Sequence, residues 1–510
     1  MKIFVKSIFL FLLGLSITKY CNGQLSFSKT YDNEGQTVWG YSLEVDATCI
    51  YTVGNGNTDL IGLSSFFMKC DENGNQVTMS NFAQEHVAFI IGEPGTLNRV
   101  SNESFIAGGK YSYFDTIFPI NQGEHGLLYK YTRNGDTVFT RKMIGNGRAK
   151  ILNTDVYKNI VYLTGYTNDT SASKADFYVA AYDTSGIFLW ENTFEAEFST
   201  VGLTISNASN GNIICAGGID HDDVGSLTDG WIIWIDTFGN KYSDRQYGTP
   251  FDDGGIRLKI TKDEHYFLAL HSIDTTINTG DYQYVRSIGK MDTSGNYLWR
   301  TFFNQPLLMY LWNFRELEDK SIVACGFTEI DETGWNHGYI CKLDSNGVKL
   351  WERTYETYND HDNYFTDVQQ TPDKGFILTG TAWGPVNQDM WLVKLDSMGC
   401  LIPGCDETPV INPSISENAI FKIYPNPINN IATVEIKTPE ALQIIPGEKL
   451  HLNIYDINGK LVDTYSNIQL HNPDEVIRFN IYKKNLAPGI YEATLIYGGI
   501  RLGMLKIVVE

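Results

Sequence analysis

The chain has 510 residues, of which 43% are hydrophobic and 13% aromatic, and it contains 47 glycines. Its formal net charge of −21 at pH 7 opposes binding to nucleic acid and to anionic lipid, since both carry negative phosphates. Strands favour aromatic side chains and tight turns favour glycine, so the composition favours a turn-rich, all-β chain.

The first residues have the pattern of a secretory signal peptide. Lys2 and Lys6 precede an apolar run, residues 8–17, which is too short to span a bilayer. Small residues follow it and predict cleavage near Gln24. We therefore predict a signal peptide over residues 1–23, and we expect no transmembrane segment in the mature chain.

An eight-residue pattern recurs along most of the chain: an apolar strand, then Asp, two further residues and Gly. Its glycines are 51 to 61 residues apart, and a period near fifty is typical of the blades of a β-propeller. The seven copies end at Gly74, Gly135, Gly186, Gly239, Gly295, Gly347 and Gly399.

The repeated pattern has a mechanical explanation. The Asp carboxylate can accept hydrogen bonds from the backbone N–H groups that follow it, and the Gly can adopt the left-handed conformation that closes a hairpin with a bulge. After the turn, Trp190, Trp299 and Trp351 stand at one fixed offset. We interpret these rings as packing between adjacent blades.

The N-terminal strand is predicted to close the ring. Residues 25–31 resemble residues 350–355, the strand that follows one of the repeated turns, whereas the chain after Gly399 runs on to Cys405 instead. A first strand that completes the last blade leaves no open sheet edge. We therefore predict a seven-bladed β-propeller over residues 24–402.

The array resembles the seven-bladed propeller repeats of bacterial surface proteins. It is also partly similar to the quinoprotein blade, in which Asp, Gly and Trp occupy similar places. The Asp-to-Gly spacing is one residue shorter here, however, and no adjacent cysteine pair is present to contact a quinone. Propellers serve binding, scaffolding and catalysis alike, so this resemblance implies a fold rather than an activity.

Seven cysteines remain once Cys21 leaves with the signal peptide. Cys400 and Cys405 flank a Leu-Ile-Pro-Gly turn that can bring them together, and we expect a disulfide between them. No C-x-x-C spacing indicates a zinc site. We expect buried thiols at the other five positions: Cys49, Cys70, Cys215, Cys325 and Cys341.

No catalytic residue and no cofactor are predicted, because the chain lacks G-x-S-x-G, H-E-x-x-H and P-loop motifs and its nine histidines form no ligand pattern. Acidic loop clusters are the candidates for a metal site, with calcium as the metal considered, although none has the register of a twelve-residue calcium loop. Solvated loops are the favoured interpretation. The candidate ligands are Asp220, Asp222, Asp223, Asp252, Asp253, Asp360 and Asp362.

A linker over residues 403–419 separates the repeats from a second predicted domain, residues 420–510. Asn458 and Gly459 supply the positive-φ pair of a tight hairpin, and a second turn ends at Pro488 and Gly489. The segments between such turns alternate polar and apolar residues, which predicts a small antiparallel β-sandwich.

This C-terminal segment resembles the type A sorting domain of the type IX secretion system. Four motifs in order carry the resemblance: Tyr424, Pro425, Asn426 and Pro427 at the start; the hairpin around Asn458 and Gly459; the turn with Pro488 and Gly489; and the basic and apolar end with Lys506. The resemblance implies export across the outer membrane, with the secretion machinery as partner. It also implies a secreted or cell-surface location.

Two hypotheses for molecular activity stay open. In the preferred one, the propeller is a non-catalytic adhesion or ligand-binding module whose extracellular ligand is a glycan or a protein. The alternative is a secreted hydrolase that acts on glycan or peptide with an active site at the propeller mouth. Two carboxylates facing each other across the axis at about 5 to 9 Å would favour the hydrolase.

Overall fold

A computed structural model describes the chain over residues 26–32, 35–57, 63–114, 121–143, 148–168, 174–207, 211–222, 227–248, 253–274, 284–303, 309–329, 334–358, 360–384, 387–402, 405, 420–438, 449–456, 461–472, 475–483, 486–497 and 500–510. The predicted signal peptide and the central hairpin pair Asn458 and Gly459 lie outside these residues. Of the predicted linker, only Cys405 lies within them.

Seven antiparallel sheets form the propeller, and in each the chain runs outward from an innermost strand at the axis. The sheets are numbered here as blades 1 to 7. Blade 1 contains β2 (Val38–Val45), β3 (Cys49–Asn57), β4 (Leu63–Asp71) and β5 (Gln76–Phe82). Blade 2 contains β6 (Val87–Ile91), β7 (Asn98–Ser101), β8 (Ser104–Phe114), β9 (Asn121–Thr132) and β10 (Thr137–Lys142), with β6 and β7 both paired to β8.

The next four blades have four strands each. Blade 3 contains β11 (Arg148–Tyr157), β12 (Ile160–Asn168), β13 (Ala175–Asp183) and β14 (Phe188–Phe194). Blade 4 contains β15 (Thr200–Asn207), β16 (Ile213–Asp220), β17 (Thr228–Ile235) and β18 (Lys241–Tyr247). Blade 5 contains β19 (Ile256–Ile260), β20 (Phe267–Asp274), β21 (Tyr284–Met291) and β22 (Tyr297–Phe303). Blade 6 contains β23 (Met309–Glu316), β24 (Ile322–Glu329), β25 (Asn336–Leu343) and β26 (Lys349–Tyr355).

The last blade combines both ends of the propeller sequence, as the N-terminal pattern predicted. Its strands are β27 (Asn363–Gln370), β28 (Phe376–Trp383), β29 (Gln388–Leu395) and β1 (Phe27–Tyr31). Strand β1 pairs antiparallel with β29, from Phe27 opposite Lys394 to Tyr31 opposite Met390. The ring is therefore closed by backbone hydrogen bonds.

The propeller has seven hydrophobic cores, and each lies between two neighbouring blades rather than inside one. The core between blades 7 and 1, for example, packs Met390 and Leu392 against Val38 and Phe66. Strands in the middle of a blade are buried on both faces, as β28 is from Phe376 to Ala382. Such strands read as continuous apolar runs that end in glycine.

The repeated Asp and Gly form the outer hairpin turn of each blade. In blade 1, the Asp71 carboxylate accepts backbone hydrogen bonds from Asn73 (2.9 Å) and Asn75 (2.8 Å), and Gly74 has φ 72°. A register shift follows the turn, so the predicted bulge is present. In blade 2, the hydroxyl of Thr132 takes the role of the carboxylate.

Where an aromatic ring stands four residues after the turn glycine, as Trp190 and Trp351 do, it packs against the turn of the next blade. A Cβ atom added to Gly239 would lie 2.6 Å from the ring of Trp190, and one added to Gly399 would lie 2.7 Å from Trp351. Phe27 of β1 contacts Gly74 in the same way. Two constraints therefore favour glycine in the turn. The backbone has a positive φ, and the aromatic ring leaves no space for a Cβ atom.

The second domain is a sandwich of two sheets. The first contains β30 (Ile420–Tyr424), β31 (Ile431–Lys437) and β34 (Val476–Tyr482), and the second contains β33 (Leu461–Gln469), β32 (Lys449–Asp456), β35 (Gly489–Tyr497) and β36 (Ile500–Val509). One core lies between the sheets and includes Val434, Leu452, Leu495 and Ile507.

The structure pairs Cys400 with Cys405 in a disulfide, the pair that the sequence favoured. The expectation that all five other thiols are buried is wrong for Cys49. This residue is the first of β3, at the end of its blade, and it is only half-buried. The other four free thiols are buried. Among the described residues, no helix has the length and apolarity to cross a membrane.

Candidate functional site

The two ends of the propeller differ in their connections. Because the strands of a blade are antiparallel, the links between first and second strands and between third and fourth strands lie at one end, which we call the turn face. These links are tight turns such as residues 46–48 and 72–75. The end of the second strand, the start of the third strand and the ends of each blade lie at the opposite end, the loop face.

The acidic candidates on blades 4 and 5 lie on the loop face. The Thr228 hydroxyl donates a 2.7 Å hydrogen bond to Asp220, and the buried Asp253 donates its backbone N–H to the Thr228 carbonyl (2.8 Å). Asp222 is half-buried nearby in sequence. Asp223 and Asp252 lie outside the described residues. Within the described ranges, no group of three or more His, Cys, Asp or Glu side chains could hold a metal ion.

The other two acidic candidates lie between blades 6 and 7. Asp360 is exposed. Asp362 accepts two hydrogen bonds from Asn336, one from its backbone N–H (3.0 Å) and one from its side-chain amide (2.9 Å). The backbone carbonyl of Asp362 also accepts a 2.9 Å hydrogen bond from the N–H of Trp383. In this structure Asp362 therefore joins two loops.

An aromatic cluster lines the loop-face end of the axis at blades 6 and 7. Tyr310 stacks on Phe327 with ring centroids 5.7 Å apart, and Trp312 stacks on Tyr364 at 6.1 Å. Phe327 meets Tyr364 edge to face at 4.9 Å. On the side of blade 5, the guanidinium of Arg286 lies 4.1 Å from the centre of the Tyr310 ring.

Further aromatic side chains lie above this cluster, nearer to the solvent. Trp335 stacks on His361, with centroids 5.8 Å apart and planes at 15°, and Tyr358 lies 6.4 Å from His361. Trp383 ends β28 beside Gly384, where an added Cβ would be 3.4 Å from Tyr358. Sequence patterns did not indicate these residues as a site. The sequence feature that could have indicated them is a tryptophan next to a glycine, in Gly334-Trp335 and Trp383-Gly384.

The axis itself is occupied by polar side chains that tie the blades together. Five innermost strands contain a bulge, and the residue after it is polar: Ser42, Asn153, Thr204, Asn313 and Asp367. The N–H of Leu43 donates to Asp367 across blades 7 and 1, at 3.0 Å. Equivalent bonds join Leu97 to Ser42 and Leu258 to Thr204.

Charged groups in the axis are half-buried or buried, and they form hydrogen bonds. Asp367 has no exposed surface and accepts hydrogen bonds from Ser42 (3.0 Å), Asn313 (2.6 Å) and Arg315 (3.2 Å). Burial raises the pKa of Glu44 to about 7, and burial lowers the pKa of Lys259 to about 7. The hydrogen bonds of Asp367 join residues of blades 6, 7 and 1 at the axis.

A cleft of about 350 Å³ opens on the turn face between blades 4 and 5. Ile214, Trp234, Tyr242 and Phe267 line it. Trp234 and Phe267 belong to the core between these two blades. The cleft is therefore the outer end of a packing interface, far from the aromatic cluster at blades 6 and 7.

In the sandwich, the opening motif holds the last strand. The Asn426 side chain donates a 3.0 Å hydrogen bond to the Lys506 carbonyl and accepts one of 2.8 Å from the Val508 N–H. The Tyr424 hydroxyl donates to Glu435 (3.2 Å). Lys506 itself is exposed. The motif thus links the first and last strands of the domain.

The turn before β35 is held from within. Pro488 and Gly489 follow Ala487, whose carbonyl accepts a 2.7 Å hydrogen bond from the Tyr491 hydroxyl. The N–H of Leu486 donates to the Lys483 carbonyl at 2.7 Å. The motif residues in this part of the domain therefore shape a turn on the sandwich.

Several solved structures resemble the chain weakly. Sqt1 from Chaetomium thermophilum is 8% identical, with 72% of this chain and 98% of that chain covered and a TM-score of 0.41. A Trypanosoma rangeli sialidase mutant is 11% identical, with 85% and 86% covered and a TM-score of 0.41. A GH43 endo-arabinanase from Bacillus licheniformis is 14% identical, with 63% and 95% covered and a TM-score of 0.29. No curated protein matches the chain significantly.

The C-terminal domain has a clear family match. Residues 422–510 match the family described as the secretion system C-terminal sorting domain. The match spans the sandwich from β30 to β36 and includes the Asn426 contacts with the last strand. Residues 422–510 are a sorting domain of the type IX secretion system, and the chain is an exported protein of the cell surface or the extracellular space.

Proposed function

We propose that the propeller is a non-catalytic ligand-binding module that the sorting domain delivers to the outside of the cell. The observation that carries this proposal is the difference between the two propeller faces. The turn face is built from hairpin turns of one repeated pattern, whereas the loop face carries two exposed tryptophans, Trp335 and Trp383, at blades 6 and 7. Loops on a rigid scaffold are the usual place for recognition.

The axis supports binding rather than catalysis. The buried carboxylate of Asp367 and the ammonium of Lys259 are engaged by groups from neighbouring blades. A general acid or base must be free to exchange a proton with a substrate. Asp367, which accepts hydrogen bonds from three side chains, serves better as a connection between blades than as an acid or base.

The domain plan completes the proposal. A signal peptide over residues 1–23 would take the chain across the inner membrane, and the sorting domain from about residue 420 would direct the second step. The segment 403–419 would then act as the connection between the folded propeller and the domain that the export machinery recognises.

The experiment that tests this proposal measures binding and turnover together. The purified exported protein is incubated with arrays of glycans and of peptides, and the eluted ligands are examined by mass spectrometry. Retained ligands of unchanged mass support a binding module. Cleaved products would refute the non-catalytic role and favour the alternative, a secreted hydrolase.

A further inference from the structure

Two tryptophans differ from all the others in their exposure. Each of the ten tryptophans lies within the described residues, and only Trp335 (39%) and Trp383 (42%) are exposed. Trp335 directly precedes β25 and Trp383 is the last residue of β28, so both lie at the loop face, on blades 6 and 7. Apolar residues exposed singly are common on protein surfaces, whereas exposed rings that lie together are a feature of interaction sites.

A single residue holds the two tryptophans in place. The Asp362 carboxylate binds Asn336, the residue after Trp335, and the Asp362 carbonyl binds the N–H of Trp383. Asp362 lies in the link between blades 6 and 7, between the two tryptophan loops. This arrangement pre-organises both rings, which reduces the entropy that a ligand would otherwise lose on ordering them.

The rings are also supported from below. His361 stacks under Trp335 at 5.8 Å, and Tyr358 lies between His361 and the backbone of Gly384. The Trp335 ring is thus stacked on His361 and still 39% exposed. A flat molecule of about the size of one ring can stack on such a side, because the face of the indole is electron-rich and attracts C–H groups.

The polar groups around these rings decide the chemistry of the ligand. The described acidic residues in the adjoining links are Glu329, Glu356, Asp360 and Asp362, whereas His337 and His361 are the basic groups. Glu356 is paired with His337 at 3.3 Å. Negative charge therefore dominates, which repels anionic ligands, while carboxylate oxygens are good acceptors for hydroxyl groups.

These observations describe a surface for a neutral molecule with flat C–H faces and many hydroxyl groups. We propose that Trp335 and Trp383 are two aromatic platforms of a binding site for a neutral oligosaccharide, positioned by Asp362. The inference rests on the proposed ligand-binding function and names its ligand class. A protein partner fits less well, because stable protein interfaces bury roughly 800 Å² on each side around an apolar centre, whereas acidic groups surround these two rings.

The test uses the full chain with two single substitutions, Trp335→Ala and Trp383→Ala. Binding is measured by a microarray of neutral oligosaccharides and matched uronate-containing or sulfated oligosaccharides, followed by titration calorimetry with the best neutral probe. We expect each variant to lose about tenfold or more in affinity, about 1.4 kcal/mol or more, as truncated aromatic anchors do at binding sites. Phe238→Ala is the matched control, because Phe238 is 74% exposed in a turn of blade 4 on the turn face, and its affinity should stay unchanged.

Asp362 has its own test as a positioning residue. Asp362→Ala should weaken binding, and Asp362→Asn should restore most of it because the amide oxygen can still accept from the Asn336 N–H. Combining Asp362→Ala with Trp335→Ala should cost little more than Trp335→Ala alone, because the carboxylate acts through the Trp335 loop. Full additivity of the two changes would contradict this role.

Three results would overturn the inference: no bound neutral oligosaccharide, binding of anionic ones alone, or unchanged affinity in both tryptophan variants. Circular dichroism of each variant confirms that a lost affinity is not lost folding. If a neutral oligosaccharide binds elsewhere on the protein, only this site is wrong. If it is cleaved and both tryptophan variants bind it less tightly, the non-catalytic function is wrong and the site stands.

Discussion

The packing of turn glycines against aromatic rings predicts an unequal response to one substitution at two positions. Gly239 and Gly35 both have positive φ, 84° and 81°. Alanine at either position pays the left-handed penalty of roughly 1–2 kcal/mol, partly offset by the lower entropy of the unfolded chain. At Gly35 nothing lies within 4 Å of the added Cβ, whereas at Gly239 the ring of Trp190 lies at 2.6 Å.

Gly239→Ala must therefore displace Trp190 as well. Forcing an extra carbon into a packed site costs about 1–3 kcal/mol, so the free energy of unfolding should fall by about that much more for Gly239→Ala than for Gly35→Ala. Urea titrations followed by circular dichroism measure both. Trp190→Ala in the Gly239→Ala background should remove most of this difference, since the clash requires the ring.

Equal urea midpoints for the two alanine variants would refute this reasoning. They would mean that positive φ alone requires glycine in the turn. The ring of Trp190 would then contribute nothing to the requirement for glycine at Gly239.

Three further results are expected. Phe27→Ala should lower the urea midpoint and accelerate proteolysis of the N-terminal strand, because Phe27 joins blade 7 to the turn of blade 1; unchanged proteolysis would contradict the closure account. The raised pKa of Glu44 means that the folded chain holds a proton that the unfolded chain releases, so stability should fall from about pH 4.5 to about pH 7, and Glu44→Gln should flatten that part of a stability profile. Deleting residues 420–510 should leave the propeller in the periplasm on immunoblots of cell fractions, and its appearance in the medium would refute the sorting role.

The propeller could be predicted from the sequence because its signals are local. The carboxylate of Asp71 and the φ of Gly74 act within five residues, and the same short pattern recurs in each blade with Thr132 as the single exchange of the acidic residue. The disulfide of Cys400 and Cys405 is local in the same sense, since one turn brings the two thiols together.

The candidate site could not be predicted because its contacts join distant parts of the chain. Trp335 contacts His361, and the Asp362 carbonyl accepts from the N–H of Trp383, so segments of two blades and the link between them must be placed together before a site exists. The hydrogen bonds at the axis also join distant parts of the sequence. The Asp367 carboxylate accepts one from the N–H of Leu43, more than three hundred residues earlier in the chain. Neither the spacing of motifs nor the composition of the chain indicates that these residues are neighbours in the fold.

The repeat nevertheless separates packing residues from recognition residues. A side chain that recurs at the same place in several blades, as Trp190, Trp299 and Trp351 do, is explained by the turn that it covers. An aromatic residue outside the repeated pattern has no such turn to cover, and in this chain Trp335 and Trp383 are the tryptophans that remain exposed. In a ring built from near-identical blades, the departures from the repeat are therefore the places where ligand specificity can arise without weakening the packing between blades.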